Sequence, residues 1–346
     1  MYINLKYNYI NNSFNNLFPH KIELDTIIGE GSSCIVYNFI NDFVIKIYKK
    51  SNNLKYFNNI LSELNDNNEL FNNNYNLDGL NEFKFFYKYL EKIDHDNIAI
   101  PYAYGLLKKH KKYNILNISL KNNKKHNSKI KEDNSDIKEE SNNNELIDNK
   151  YYMFIILPLF KPLNNFNLIK KEKYLIKLIY IILSVESYIQ TNFNITNLDI
   201  KLDNILIDNN NDFKIIDFGL ILNININNVL DNKNNYFIWP KKPSKINKIC
   251  LYSIFLLIYQ ILFKNIDDDL YKQIHNFDNS NNLLNNIKNN YYYSDNFIFL
   301  LENLLHMNFD IDYYKQFINN NFFNINSVSD FYNQYFIEYF SKYKLK

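Results

Sequence analysis

The sequence predicts an α+β fold in two lobes: a small antiparallel β-sheet lobe with one main helix, then a larger, mostly helical lobe. Three observations predict it. β-branched and aromatic runs, broken by turn residues, crowd residues 23–48 and resume at Tyr151–Phe160. From Leu168 onward the apolar residues take helical spacing. Between these regions Pro158 and Pro162 break the pattern and mark a hinge. The expected organisation is therefore a leader over 1–22, a small lobe over 23–160 and a large lobe over 161–346.

The leader is polar and expected to be weakly ordered. Glu23–Tyr48 reads as three antiparallel strands, with G-E-G-S-S and Asn41-Asp42 as turns. Residues 49–76 are Asn-rich and read as a loop with helical pieces. Asp78 caps a helix running to about Lys92, with Leu80, Phe83, Tyr87 and Leu90 along one face. Ile98–Leu107 and Tyr113–Leu120 read as strands. Residues 121–150 are low in complexity, lack the apolar residues for a core and read as a mobile insertion. Ile169–Gln190 and Lys248–Phe263 are the strongest helices, and F-I-N-N-N-F-F at 317–323 closes the helical region.

Composition bounds the rest. Hydrophobic residues make up 46% of the 346, which is the composition of a folding chain. There is no Arg, so all 39 basic residues are Lys, and the net charge is only +2. Mixed charge without a basic stripe argues against a nucleic-acid partner. Cys34 and Cys250 lie far apart and fit a reducing compartment better than a disulfide framework. Met1–Phe18 has no continuous apolar core of the signal-peptide kind. The apolar run Ile249–Phe263 is shorter than the ~20 residues of a spanning helix and reads as a core helix. The expected setting is the cytoplasm, as a monomer with no membrane segment. Only five Gly occur, at 29, 31, 79, 105 and 219. In so biased a chain, each retained Gly points to positive φ or to close approach of a ligand.

The chemistry concentrates in Asp199–Gly219, which reads D-I-K-L-D-N-I-L-I, a polar turn at Asp208–Asp212, then F-K-I-I-D-F-G. This puts Asp199, Lys201, Asn204 and Asp217 on two short apolar strands. Phosphoryl transfer from Mg-ATP needs this set: a carboxylate for the nucleophile's proton, a cation by the moving phosphate, and hard oxygen ligands for magnesium. D-x-K-x-x-N followed by D-F-G at this separation resembles the eukaryotic-type protein kinases, over about residues 25–325.

The resemblance implies a kinase-like fold with ATP and Mg2+ as cofactors, and it implies a role for each matching residue. Asp199 would be the general base or hydroxyl-orienting carboxylate, and Lys201 would stabilise the transferred phosphoryl group. Asn204 and Asp217 would hold magnesium. Ile28, Gly29, Glu30, Gly31 and Ser32 stand in the G-x-G loop over the phosphates, with Cys34 at its third small position. Val36 and Val44 would pack on the adenine, and Leu206 would form its floor. Lys46, in F-V-I-K, would grip the α- and β-phosphates. Its acidic partner is read as Glu82, with Glu63, Glu69 and Glu91 as alternatives. Leu157 would guard the back of the pocket, the Pro158 carbonyl and the Phe160 N–H serving the adenine edge. The short connection from Val36 to Lys46 and the E-x-x-x-F-Y helix are similar to the poxviral protein kinases.

Departures from the family pattern matter as well. Asn197-Leu198-Asp199 replaces H-R-D, so the Arg that answers an activation-loop phosphate is missing. Trp239-Pro240-Lys241 replaces A-P-E, and Cys250 replaces an Asp that normally braces the catalytic loop. The loop is expected to be held differently. The resemblance implies a Ser/Thr protein kinase that needs no activation-loop phosphorylation, with proteins carrying Ser or Thr as substrates. A pseudokinase scaffold and a small-molecule kinase are the alternatives.

Overall fold

The structure is a computed structural model. It describes residues 2–9, 21–23, 26–31, 33–39, 42–53, 80–108, 150–163, 170–210, 212–224, 229–230, 240, 244–263 and 280–323, with 56 and 59 singly. The expected strand Tyr113–Leu120 and the insertion over 121–149 lie outside these residues, as do Ser32, Asp78, Trp239 and Lys241. The described chain is α+β: an antiparallel sheet with one helix, then a mostly helical region. It forms two compact units, the first ending at Leu159 and the second continuing from Phe160.

In the first unit five antiparallel strands carry the sheet: β3 (Ile27–Glu30), β4 (Cys34–Phe39), β5 (Phe43–Asn53), β6 (Ala103–Lys108) and β7 (Lys150–Pro158). Their order is β6-β7-β5-β4-β3. Two more strands extend the β6 edge: β1 (Tyr2–Tyr9) pairs with β6, and β2 (Lys21–Glu23) pairs with β1. The reading of residues 1–22 as a leader assigned no element there. The reason for a strand is in the residues: Ile3, Leu5, Tyr7 and Tyr9 alternate with Asn4, Lys6 and Asn8. The expected strand over Ile98–Leu107 starts only at Ala103, because Pro101 interrupts the run. Lys92–Ala99 belongs to the second unit, where Ile98 bridges Ile215.

Strand alternation divides the sheet into two faces. Ile35, Tyr37, Ile45, Ile47, Tyr152, Phe154, Ile156 and Ala103 form one buried apolar cluster. The intervening residues, Val36, Val44, Lys46, Tyr48, Ile155 and Leu157, therefore lie on the opposite face. The register sets Lys46 beside Val36 and Ile155, and Val44 beside Leu157. Helix α1 (Leu80–Tyr89) packs on that second face through Phe83, whose ring meets Tyr104 edge-on at 5.6 Å. Leu80, Phe83, Phe85, Phe86 and Tyr89 are buried, a wider stripe than the expected one; Tyr87 and Leu90 are half-buried.

The second unit is built around α2 (Glu172–Phe193) and α3 (Ile249–Phe263). No Pro or Gly interrupts the 22 residues of α2, and its apolar residues from Leu175 to Phe193 are buried. Asn194 ends it in the left-handed conformation, φ 54, with its N–H donating to the Gln190 and Ile189 carbonyls. The segment Ile246–Phe263 is apolar and long enough by composition to cross a membrane, and 78% of it is buried within the fold. A helix apolar on every side is a core helix when protein surrounds it. Three further helices follow: α4 (Ser280–Asn290), α5 (Asp295–His306) and α6 (Ile311–Phe322). Ser294 caps α5 by accepting the Phe297 N–H at 3.2 Å.

Small strand pairs carry the Asp199–Gly219 stretch. After α2, β9 (Ile195–Asn197) pairs with β12 (Ile221–Asn223). Inside that pair, β10 (Ile205–Ile207) and β11 (Phe213–Ile215) form a hairpin, with β8 (Lys161–Pro162) on the far side of β10. Asp208 Oδ1 closes the hairpin turn by accepting the Asn210 and Asp212 N–H groups at 2.8 and 2.9 Å.

Candidate functional site

In the first unit the site residues cluster around a buried cation. Lys46 Nζ donates to Glu82 Oε2 at 2.6 Å, and the two side chains are only 9% and 1% exposed. The Tyr48 hydroxyl donates to the same Glu82 oxygen, and its ring lies 5.4 Å below Lys46 Nζ. Glu82 is thus the carboxylate that accompanies Lys46. Two donors on one oxygen answer the desolvation cost of this buried pair, which Coulomb attraction alone seldom repays.

Val36, Val44 and Leu157, three of the residues expected around a nucleotide base, share the Lys46 face of the sheet. Val44 and Leu157 are neighbours in register and both buried, while Val36 is half-buried. Pro158 pairs with Phe43 at the end of β7, and Phe160 is half-buried just beyond it. The glycine hairpin lies between β3 and β4, with the Gly31 N–H donating to the Cys34 carbonyl at 3.0 Å. Cys34 is not in the turn, as its loop position implied, but is the first residue of β4. Neither Gly29 nor Gly31 has a positive φ, and a Cβ at either would meet its nearest atom at 3.8 Å or beyond. The positive-φ explanation for these glycines is therefore corrected. Ile28 is 47% exposed, and Glu30 pairs with Lys49 at 2.8 Å.

In the second unit, four polar residues of the signature stretch lie in the loops flanking the strands, not on them as expected. Asp199 and Lys201 fall between β9 and a turn of 3-10 helix, Leu202–Asn204. Asp217 follows β11. Lys201 Nζ lies 2.8 Å from Asp199 Oδ2, and Asn204 Nδ2 reaches the same oxygen at 2.9 Å. Asn204 Nδ2 also donates to the Asp199 carbonyl at 2.8 Å. These bonds fix the amide so that Oδ1, a hard oxygen, is the atom left for a cation. Asp217 sits at φ 64, and its Oδ1 accepts the Gly219 N–H at 3.2 Å. A Cβ on Gly219 would stand 3.0 Å from that oxygen, so glycine keeps the carboxylate uncrowded. Leu206 is half-buried in mid-β10.

Among the described residues no group of three or more His, Cys, Asp and Glu could hold a metal. An amide oxygen on Asn204 and a carboxylate on Asp217 are donors of the hard-oxygen kind that magnesium takes, one or two from protein with the rest from phosphate and water.

Behind Asp199 lies a network that reasoning from sequence did not find. Glu186, wholly buried on α2, accepts the Thr196 hydroxyl at 2.8 Å and the Asn197 N–H at 3.3 Å through Oε2. Asn197 Oδ1 in turn accepts the Asp199 N–H at 2.9 Å. Gln190 Nε2 joins Thr196 to the Asn247 carbonyl, and the Cys250 thiol donates to that same carbonyl at 3.7 Å. Burial pushes the Glu186 carboxyl up to about 8, against hydrogen bonds from Thr196, the Asn197 backbone and Gln190. Burial, then the nearby Glu186, raises the Cys250 thiol well above its ordinary value. The available signal was one residue: Glu186 is the one acid between Leu175 and Phe193 in a helix whose residues there are mostly apolar. Tyr48 had a period-2 signal, two residues beyond Lys46 on the same strand.

The class that the fold and site define is α+β, with a buried Lys–Glu pair on the sheet and an Asp–Lys–Asn cluster in the helical unit. The chain matches no protein-family model and no curated protein.

Proposed function

We propose that the protein is a kinase of eukaryotic protein-kinase type, transferring the γ-phosphate of Mg-ATP to Ser or Thr hydroxyls of proteins. The observation that carries this reading is the Asp199 carboxylate, held by Lys201 at 2.8 Å and Asn204 at 2.9 Å. A carboxylate so oriented, with a cation beside it and an amide oxygen spared for a metal, suits proton removal from a hydroxyl during phosphoryl transfer.

The roles divide accordingly. Asp199 accepts the hydroxyl proton, and Lys201 offsets charge on the moving phosphoryl group. Asn204 Oδ1 and Asp217 would hold magnesium, which supplies charge neutralisation along the phosphates. Lys46 meets the α- and β-phosphates, kept in place by Glu82 and Tyr48. Val36, Val44 and Leu157 offer apolar surface to the base. Asn197-Leu198-Asp199 offers no Arg to answer an activation-loop phosphate, which supports activity that needs no phosphorylation there.

The product identifies the substrate class. Purified protein is incubated with labelled Mg-ATP, a mixture of unrelated proteins and a metabolite extract, and the labelled products are hydrolysed. Phosphoserine or phosphothreonine is expected. Label on metabolites alone would replace this reading with a small-molecule kinase, and no label at all would leave a binding scaffold.

A further inference from the structure

We propose that Glu186 is the positioning residue of the Asp199 loop, anchoring β9 to α2 and thereby setting where the Asp199 carboxylate lies. The inference rests on the reading of Asp199 as the proton acceptor. It deepens that reading by naming what holds the acceptor.

Three successive bonds make the connection. Glu186 Oε2 takes the Asn197 N–H at 3.3 Å, Asn197 Oδ1 takes the Asp199 N–H at 2.9 Å, and Asn204 takes hold of Asp199 from the other side. Thr196 adds a parallel link at 2.8 Å. Opposite, the Leu198 N–H donates to the Leu220 carbonyl, so β12 fixes the strand but leaves the Asn197 N–H to Glu186. A buried carboxyl is costly to desolvate, and a leucine in its place would strand the buried Thr196 hydroxyl and Asn197 N–H that it accepts. Glu186 Oε1 and Asn197 Nδ2 are both buried without a hydrogen-bond partner. The geometry thus retains polar groups with incomplete hydrogen bonding, and one arm of the bonds it does make, through Asn197, leads to Asp199. Cys250, facing this network from α3, offers only a thiol and cannot take the place of the carboxyl as acceptor of two hydrogen bonds.

The test uses the full chain with Glu186→Leu, Glu186→Gln and Thr196→Val. Amide hydrogen exchange at Asn197 and Asp199 is measured beside kcat and KM for ATP. Glu186→Leu is expected to speed exchange at both amides and to lower kcat on the order of 10²-fold, as small misplacements of reacting groups do, with KM for ATP within about 3-fold. Glu186→Gln keeps an acceptor oxygen and is expected to restore both readings to near wild type. If Glu186→Leu does not fold, Thr196→Val carries the test, with a smaller change of the same pattern. Unchanged exchange at Asp199, or exchange raised equally across the whole unit, overturns the proposal. A wild-type protein that transfers no phosphate sinks the kinase reading, while the exchange result still decides whether Glu186 holds the loop.

Discussion

Lys46 Nζ and Glu82 Oε2 lie 2.6 Å apart with both side chains buried, and the Tyr48 hydroxyl shares that Glu82 oxygen. Removing one partner of a buried pair strands the other charge, at a cost of about 3–5 kcal/mol. Lys46→Met and Glu82→Leu should each destabilise the protein by that order in urea unfolding. The double variant should recover most of the stability because no charge is stranded. Phosphoryl transfer should stay lost in all three. Recovery of stability together with activity would show that the pair serves packing alone.

Tyr48→Phe removes one donor from Glu82 and keeps the ring below Lys46. A lost buried hydrogen bond costs about 1–3 kcal/mol. The expected result is a stability loss in that range with a weaker affinity for ATP. Calorimetry of ATP binding and thermal unfolding check it; a silent substitution would mean that Glu82 is held without the tyrosine.

Glu186 sets a pH dependence of stability. Its folded carboxyl is raised to about 8, first by burial, whereas the ordinary value is 4.5. Between those values the folded chain keeps a proton that the unfolded chain has released. Stability contributed at low pH is therefore lost as pH rises through that window, by at most about 1.4 kcal/mol per unit. Cys250, the titratable group facing it from α3, stays a neutral thiol there because burial raises it further. Urea unfolding at pH 5, 6.5 and 8 should show a shallower decline in Glu186→Gln than in wild type.

Gly219→Ala would bring a Cβ to 3.0 Å from Asp217 Oδ1. The carboxylate must then turn away from the Gly219 N–H that orients it. Partners that orient a metal ligand are worth about 10–100-fold in metal affinity. The magnesium concentration for half-maximal transfer should rise at least 10-fold while thermal stability changes little.

The antiparallel sheet and the buried helix Ile249–Phe263 were legible because period and length are local properties of sequence. The Lys46 strand was legible for the same reason, since a short apolar run flanks Lys46 on both sides. Four glutamates competed as its partner, and helix phase could not choose among them. The choice depends on where α1 lies across β5, which is tertiary. Glu186 stayed hidden for a similar reason. A single acid in a mostly apolar helix has no meaning until β9 packs against it, and nothing in the nine residues between Glu186 and Thr196 states that contact. The strand at Tyr2–Tyr9 was legible in its alternation but was obscured by the polar, Asn-rich residues that follow.

The central claim is that Asp199 acts as the proton acceptor of a phosphoryl transfer. Its most direct test is the rate of labelled-phosphate transfer by wild type and Asp199→Asn at matched, saturating Mg-ATP. Loss of a positioned acid–base group predicts a fall of roughly 10²–10⁴-fold in kcat with ATP affinity retained. Equal rates in the two proteins would contradict the account.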